Sequence, residues 1–592
     1  MKASSRKTLL GVPICNGLVV AKLSKGGTPA PSRSSSMTTL TPDQEWAQFL
    51  NAQCGALDQI NEVLSEATDE SQQNILNSVM EGYELLLTDE IIIEHIKQLV
   101  YDEHLDSASA IEKVFSDAAS KIAASVDEYL REKSTDIVAC KEFLVTAMTS
   151  RDPQEKFAHL KDRIVVVELP TPQDIILFHQ ARVAGIITEQ GAELSHAAIL
   201  ARSLNIPTLF GVKGILDHGV EGQIAILDTA EAIVVINPSR AEVRKTEARR
   251  AVDLMVNQKL KAKAGSSART LDGEKISVLA NADGPVDSNG VLTSGAEGIG
   301  LLRTEFLHLN SASMPSVEES TVFFRMTAAS LAPQPITIRL LDAGGDKPYP
   351  NGHSYPPGPY GLRGIRFLLD EKTVLEAQLQ ALIKANSKAN IRILVPFVTD
   401  VEEIRSVKRK VQQIWSDLPA DERAELQIPQ IGAMVETPSA VMLLDHLCSE
   451  CDFLSIGSND LTQHVLCLER SDPHAAVQSS SFHPAVLRSL KIIFDQQKNS
   501  EIAISLCGEL ASDPIATELL IGLGCRNLSA RGSSIPLLKD IIRNIHIGDA
   551  EKLSQIVLRM NGAEEVRQFL GERYRSKFDY ETVAGRRHNQ AG

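Results

Sequence analysis

QIGAMVE, residues 430–436, is a short apolar run that ends on a carboxylate, Glu436, and it has seven counterparts. ISVLAN (276–281), GIGLL (298–302), ITIRLLD (336–342), IRILVPFV (391–398), FLSIGSN (453–459), AISLCGE (503–509) and NLSA (527–530) share its size and character. Helical patterns separate them. About eight strands alternating with helices over roughly 300 residues outline a (β/α)8 TIM-type barrel.

Barrel active sites lie at the strand C-termini, and polar residues gather there. Arg303 follows the second run, and Arg339 and Asp342 fall late in the third. Glu436 closes the fifth, Asn459 and Asp460 the sixth, Cys507 and Glu509 the seventh. Taken singly, each arginine is more often a member of a surface ion pair. Cations, carboxylates and a thiol on one rim point instead to a divalent metal holding an anionic substrate. Glu436 and Asp460 offer hard oxygen ligands suited to Mg²⁺ or Mn²⁺. Arg303, Arg339, Arg363 and Arg470 offer forked donors for phosphate and carboxylate oxygens.

N-terminal to the barrel, residues 239–264 carry many Lys and Arg and few apolar residues, the pattern of a solvated connecting helix. Before them RIVVVEL (163–169), AGIITEQ (184–190) and IAILDTAEAIVVI (224–236) read as strands, and GVPICNGLVVAK (11–22) as a first strand. Residues 24–40, rich in Ser, Thr, Pro and Gly, have the composition of a linker. Thr41-Pro42-Asp43-Gln44 reads as a helix start with an N-cap, Pro at N1 and a capping-box partner. From about Glu45 to Met148 apolar residues recur at helical spacing, so this part is all-helical.

The bulk properties exclude several classes. The 592 residues are 43% hydrophobic and carry a formal net charge of -16, which disfavours a general nucleic-acid or anionic-membrane binder. No run of ~18 apolar residues offers a spanning helix. Lys2, Arg6 and Lys7 precede a mildly apolar stretch, but Pro13, Asn16 and Gly17 break it, so it reads as a first strand rather than a signal peptide. Eight scattered cysteines suit a reducing cytoplasm better than a disulfide framework. Cys448 and Cys451 form a lone CxxC, more often incidental than a metal site.

GAELSHAAILAR, residues 191–202, follows a strand and opens a helix that runs to Asn205-Ile206-Pro207. Free backbone N–H groups and the positive end of the helix dipole would stabilise a phosphate carried on His196. By position alone a capping or packing histidine is the commoner case.

These residues resemble those of a known family. The His196 segment is similar to the phosphohistidine motif of the PEP-utilising enzymes, roughly GG-x-TSH-x-x-I-x-AR-x-x-x-IP. SGAEGIGLLRTEFLHL, IRLLDAGGDK, IGAMVETPSA, FLSIGSNDLTQ and SLCGELASD resemble the barrel signatures of the same family. GVPICNGLVVAK resembles the family's opening strand. EGYELLLTDEIIIEHI (81–96) and DEYLREKSTDIVACKEFL (127–144) resemble the helical subdomain of its Enzyme I branch. The likeness ends only near residue 575.

The resemblance implies that His196 is phosphorylated by phosphoenolpyruvate and passes the phosphoryl group to the phosphocarrier HPr. It implies that Glu436 and Asp460 bind Mg²⁺, and that Arg303, Arg339, Asn459, Asp460 and Arg470 hold phosphoenolpyruvate, with Arg363 and Lys347 as further phosphate contacts. Cys507 is the expected proton donor to C3 of the departing enolate. The implied domains are a phosphohistidine α/β domain at 1–23 and 150–238 and an HPr-binding helical subdomain at 24–149. A linker helix at 239–268, the barrel at 269–575 and a tail at 576–592 complete the division. The barrel is expected to form a homodimer, and His196 to swivel between its two partners.

The chain departs from the motifs at Ala192 for the second Gly, at Leu194 for the usual Thr, and in PPGPYGLR (356–363), which lacks an Asn. Tyr83 stands where a His is common on the docking helix. A pyruvate phosphate dikinase or PEP synthase is the alternative within enzymes, but those need an ATP-binding domain with several hundred further residues. A purely regulatory phosphorelay protein is the alternative from another class.

Overall fold

The computed structural model describes residues 6–26, 40–65, 83–123, 137–138, 140–141, 144–145, 147–148, 158–191, 195–218, 221–282, 284, 286, 288–309, 315–345, 361–468, 480–500 and 502–578. The chain forms two compact units, Met1–Asp253 and Leu254–Gly592.

The first unit is built on an eight-stranded mixed sheet. Its strands are β1 (Lys7–Leu10), β2 (Val12–Cys15), β3 (Leu18–Lys25), β4 (Ile164–Val167), β5 (Gly185–Thr188), β6 (Thr208–Phe210), β7 (Ile224–Asp228) and β8 (Ile233–Ile236). Their order is β1-β8-β7-β3-β4-β5-β6-β2. The expected single first strand at 11–22 is therefore two, β2 and β3, parted at Asn16-Gly17, and an unforeseen β1 precedes it; at Gly11 the chain crosses from one edge of the sheet to the other. A Cβ on Gly11 would sit 2.5 Å from Val212 Cγ2, so only glycine allows that passage. The three-residue β6, entered from Pro207, was not foreseen.

Between β3 and β4 lie the helices Pro42–Ser65, Glu90–Tyr101 and Ser107–Ala123. The capping box at Thr41 forms: the Gln44 N–H donates to Thr41 Oγ1 at 3.4 Å and the Thr41 N–H to Gln44 Oε1 at 3.0 Å. Phe49, Ile96 and Phe115 of this helical part share one apolar cluster with Phe178, Ala198 and Phe210 of the α/β part. Tyr83 is buried in that same cluster. It is a core residue here.

The second unit is a closed barrel of eight parallel strands. They are β9 (Ser277–Ala282), β10 (Ile299–Leu302), β11 (Ile336–Arg339), β12 (Ile391–Val395), β13 (Gln430–Val435), β14 (Phe453–Gly457), β15 (Ala503–Cys507) and β16 (Asn527–Arg531). β16 closes onto β9, with Asn527 opposite Ser277. All eight expected strands are present, but β11 and β12 stop three residues early. Pro396 has no N–H to continue the ladder, and Phe397 turns the backbone to φ +54°.

At the other end of the barrel, the helix Ile535–Ile542 places Lys539 in the interior. Its ammonium donates to the carbonyls of Ala264 (3.1 Å) and Gly295 (2.6 Å). Arg543 donates to the carbonyls of Lys263 (3.1 Å) and Ser266 (2.6 Å). Arg543 thereby satisfies the last carbonyl of the helix Arg240–Lys263, and the other bonds tie down the residues after that helix and the turn at Gly295. Among the described residues no helix is long and apolar enough to cross a membrane.

Candidate active site

A cavity of about 460 Å³ opens at the C-terminal ends of the barrel strands. Of the residues expected from sequence, Arg303, Arg339, Glu436, Asn459, Asp460 and Cys507 line it together. Strand ends and the turns after them deliver each one. Gly508, at φ +99°, turns the chain out of β15; a Cβ there would meet Ser458 Oγ at 2.3 Å. The turn brings the Glu509 N–H to Asn459 Oδ1 at 3.2 Å. That bond identifies the Asn459 oxygen, so its NH₂ is the group left for a ligand.

Arg363 does not line the cavity. It is 0% exposed, behind the lining, and its guanidinium donates twice to Asp342 (3.1 and 3.1 Å) and once to Asp460 (2.7 Å). The Phe397 ring lies 4.8 Å from it in a cation–π contact. Lys347 and Arg470 fall outside the described residues, as do Ala192 and Leu194. His196 belongs to the first unit. It is the first residue of the helix His196–Ser203, and Ser195 caps that helix by accepting from the Ala198 N–H at 3.3 Å.

Sequence reasoning missed three neighbours. Glu305 pairs with Arg339 at 2.5 Å and accepts the Asp342 N–H at 3.3 Å. Phe397 donates its N–H to Glu436 Oε1 at 2.7 Å. Ser455 donates to Cys507 Sγ at 3.5 Å. Glu305, two residues after Arg303, carried a positional signal; Phe397 and Ser455 looked like ordinary strand residues.

The electrostatics of the cavity are unusual. Burial works against the charge on Arg339, but the carboxylates of Glu305, Asp342, Glu436 and Asp460 hold it firmly ionised. Burial, reinforced by Asp460 and Asp342 and opposed by Arg339 and Arg363, pushes the Glu436 carboxyl up to about 8. Glu436 Oε2 is buried without a hydrogen-bond partner among the described residues. An unsatisfied carboxylate oxygen in a site that also presents Asp460 is what a divalent cation would neutralise. Among the described residues no group of three or more His, Cys, Asp or Glu is assembled for a metal. Magnesium needs no such cage, since it commonly binds one or two carboxylates plus substrate phosphate and water. The residues fit the ion. Burial, with Glu436 adding to it, pushes the Cys507 thiol up to about 11 against the Ser455 hydrogen bond, Arg339 and Arg303. The thiol therefore keeps its proton at neutral pH. The cavity can hold a small anion, accommodate a divalent ion and deliver a proton from sulfur.

Comparison with known proteins covers most of the chain. Residues 10–133 match the N-terminal domain of PEP-utilising enzymes, residues 160–232 their mobile domain and residues 257–547 their PEP-binding domain. A Haemophilus influenzae protein named phosphoenolpyruvate-protein phosphotransferase is 31% identical over 536 residues, 90% of this chain and 92% of that one. Proteins of the same name from Borreliella burgdorferi and Bacillus sp. (strain S) are 31% and 28% identical over 88% and 96% of this chain, and 91% and 98% of their own.

Proposed function

The chain belongs to the PEP-utilising enzyme family, and from that premise we infer that it is a phosphoenolpyruvate-protein phosphotransferase. It moves the phosphoryl group of phosphoenolpyruvate to a protein histidine and releases pyruvate. The observation that carries this reading is the convergence of Arg303, Arg339, Glu436, Asn459, Asp460 and Cys507 on one cavity. The dikinase alternative is not favoured, because relatives of the phosphotransferase name match over nearly their whole length.

We propose His196 as the acceptor and HPr as the next carrier. Arg303, Arg339 and the Asn459 amide bind the phosphate and carboxylate oxygens. Glu305 and Asp342 hold the Arg339 fork in place, and Arg363 acts behind the site by fixing Asp342 and Asp460. Glu436 and Asp460 would hold Mg²⁺ or Mn²⁺, which when bound neutralises phosphate charge as the transfer proceeds. The imidazole attacks in line, a P–N bond forms as the ester P–O bond breaks, and the enolate leaves. Its C3 takes the Cys507 proton, giving pyruvate.

HPr docking is assigned to the helical part at 24–149, where Leu85 and Ile91 are 71% and 81% exposed. The resemblance is the ground for a homodimer through the barrel, for the domain boundaries given above and for a cytoplasmic location.

Phosphoenolpyruvate labelled in its phosphoryl group tests the reading. With Mg²⁺ and no nucleotide it should leave an acid-labile, base-stable label that His196→Ala abolishes. A label that requires ATP, or that survives in the variant, refutes it.

A further inference from the structure

Cys507 lines the cavity yet is 1% exposed. Ser505 stands two residues back on β15 and so on the same side of the strand. Directly across the ladder from it, on β14, is Ser455. Ser505 Oγ lies within donating reach of Ser455 Oγ at 3.1 Å and of the Leu454 carbonyl at 3.4 Å, and Ser455 Oγ donates to Cys507 Sγ at 3.5 Å. The thiol itself donates to the Ile456 carbonyl at 3.1 Å. Ser455 is fully buried, Ser505 is half-buried, and Ala503, the next residue down that side of β15, is exposed. Sulfur and two hydroxyls thus form a file from the cavity toward the N-terminal end of the barrel. Barrel interiors are ordinarily filled by branched aliphatic side chains, and a buried hydroxyl is costly unless it is bonded. Here each hydroxyl is bonded to the next group in the file.

We propose that Ser455, backed by Ser505, returns a proton to Cys507 after each turnover. This rests on Cys507 being the acid at C3, as assigned above. When the thiol protonates the enolate, the S–H bond breaks, the C–H bond forms and a thiolate remains. Ser455 gives its hydroxyl proton to sulfur while taking one from Ser505, and Ser505 takes one from water, which leaves as hydroxide. Each serine ends as it began, and the net transfer is one proton from water to sulfur. Ser455 already donates toward the sulfur, and Ser505 can turn its one proton from the Leu454 carbonyl to Ser455. Burial supplies the driving force, because a thiolate enclosed in the barrel is strongly basic. Ser455 is a positioning and relay residue, and it does not touch the substrate.

The test is rapid mixing of phosphoenolpyruvate and Mg²⁺ with the full-length protein and excess HPr. In Ser455→Ala the first equivalent of pyruvate should form at the parent rate, because the resting thiol already holds its proton. Later turnovers should be roughly tenfold slower or more, and imidazolium buffer should accelerate them as a substitute proton source. Ser455→Thr, which keeps a hydroxyl, should retain the faster steady state. A Ser455→Ala variant with an unchanged steady state, or with its first turnover slowed as much as the later ones, overturns the relay. The parent reading fails separately: Cys507→Ala would then form pyruvate normally, whatever the serine variants do. If Cys507→Ala is slow and Ser455→Ala shows no burst, only the relay is lost.

Discussion

The Phe397 N–H donates to Glu436 Oε1 at 2.7 Å from a backbone held at φ +54°. A bulky residue rarely takes that conformation, and it persists where the surroundings over-determine it. Here the ring stacks on Arg363 and Arg366, at 4.8 and 5.2 Å, and meets His464 edge-on at 5.2 Å. One residue thereby fixes half of the Glu436 carboxylate and leaves Oε2 for a ligand.

The raised Glu436 carboxyl makes stability depend on pH. Its value is near 4.5 in the unfolded chain and about 8 in the folded protein, so the folded state holds the proton more tightly. In chelator, Glu436 should contribute stability below about 4.5, and that contribution should be lost as pH rises toward about 8. Thermal melts of the parent and of Glu436→Gln check this. The variant should lack that part of the pH slope, and Mg²⁺ should flatten the slope of the parent alone. Identical slopes in chelator would refute the assignment.

Glu436→Gln and Asp460→Asn should each abolish Mg²⁺-dependent pyruvate formation. Phosphoryl exchange between His196 and HPr should persist, because only the first half-reaction uses the barrel. Loss of both half-reactions in a folded variant would contradict this division of labour.

Cys507→Ala should bind phosphoenolpyruvate yet turn over on the order of 10²–10⁴ more slowly, the usual cost of removing a general acid. Solvent deuterium incorporation at C3 of pyruvate is the direct measurement. Normal incorporation in the variant would return Cys507 to a packing role.

Ile91→Glu, alone or with Leu85→Glu, should raise the KM for HPr roughly tenfold, since a carboxylate would sit in an apolar contact. Labelling of His196 by phosphoenolpyruvate should be unaffected. Both side chains are surface-exposed, so the fold should tolerate the changes. An unchanged KM would move the docking face elsewhere.

The barrel was legible because each strand is a short apolar run, and its chemistry because charged residues are conspicuous at the ends of such runs. Arg303, Arg339, Glu436, Asn459, Asp460 and Cys507 could be found that way. Phe397 could not, since its part depends on a backbone angle that no residue type announces. Ser455 and Ser505 looked like ordinary strand serines, and only the register of β14 against β15 brings them together. The N-terminal strands were misjudged for a similar reason. Composition does not say that Gly11 sends two adjacent segments to opposite edges of one sheet.

Lys539 reaches back to the carbonyl of Ala264, five residues ahead of the barrel boundary that the resemblance implies at residue 269. A boundary drawn at residue 269 therefore cuts inside the self-sufficient module, which the family match from residue 257 keeps whole. A barrel begun at residue 269 would remove one of the two carbonyls that accept from the buried Lys539 ammonium, leaving Gly295, and would also remove the carbonyls that Arg543 holds. One begun near residue 250 would carry its own closing latch. The shorter piece should be less stable by about 1 kcal/mol for each of these hydrogen bonds, while both keep the same cavity.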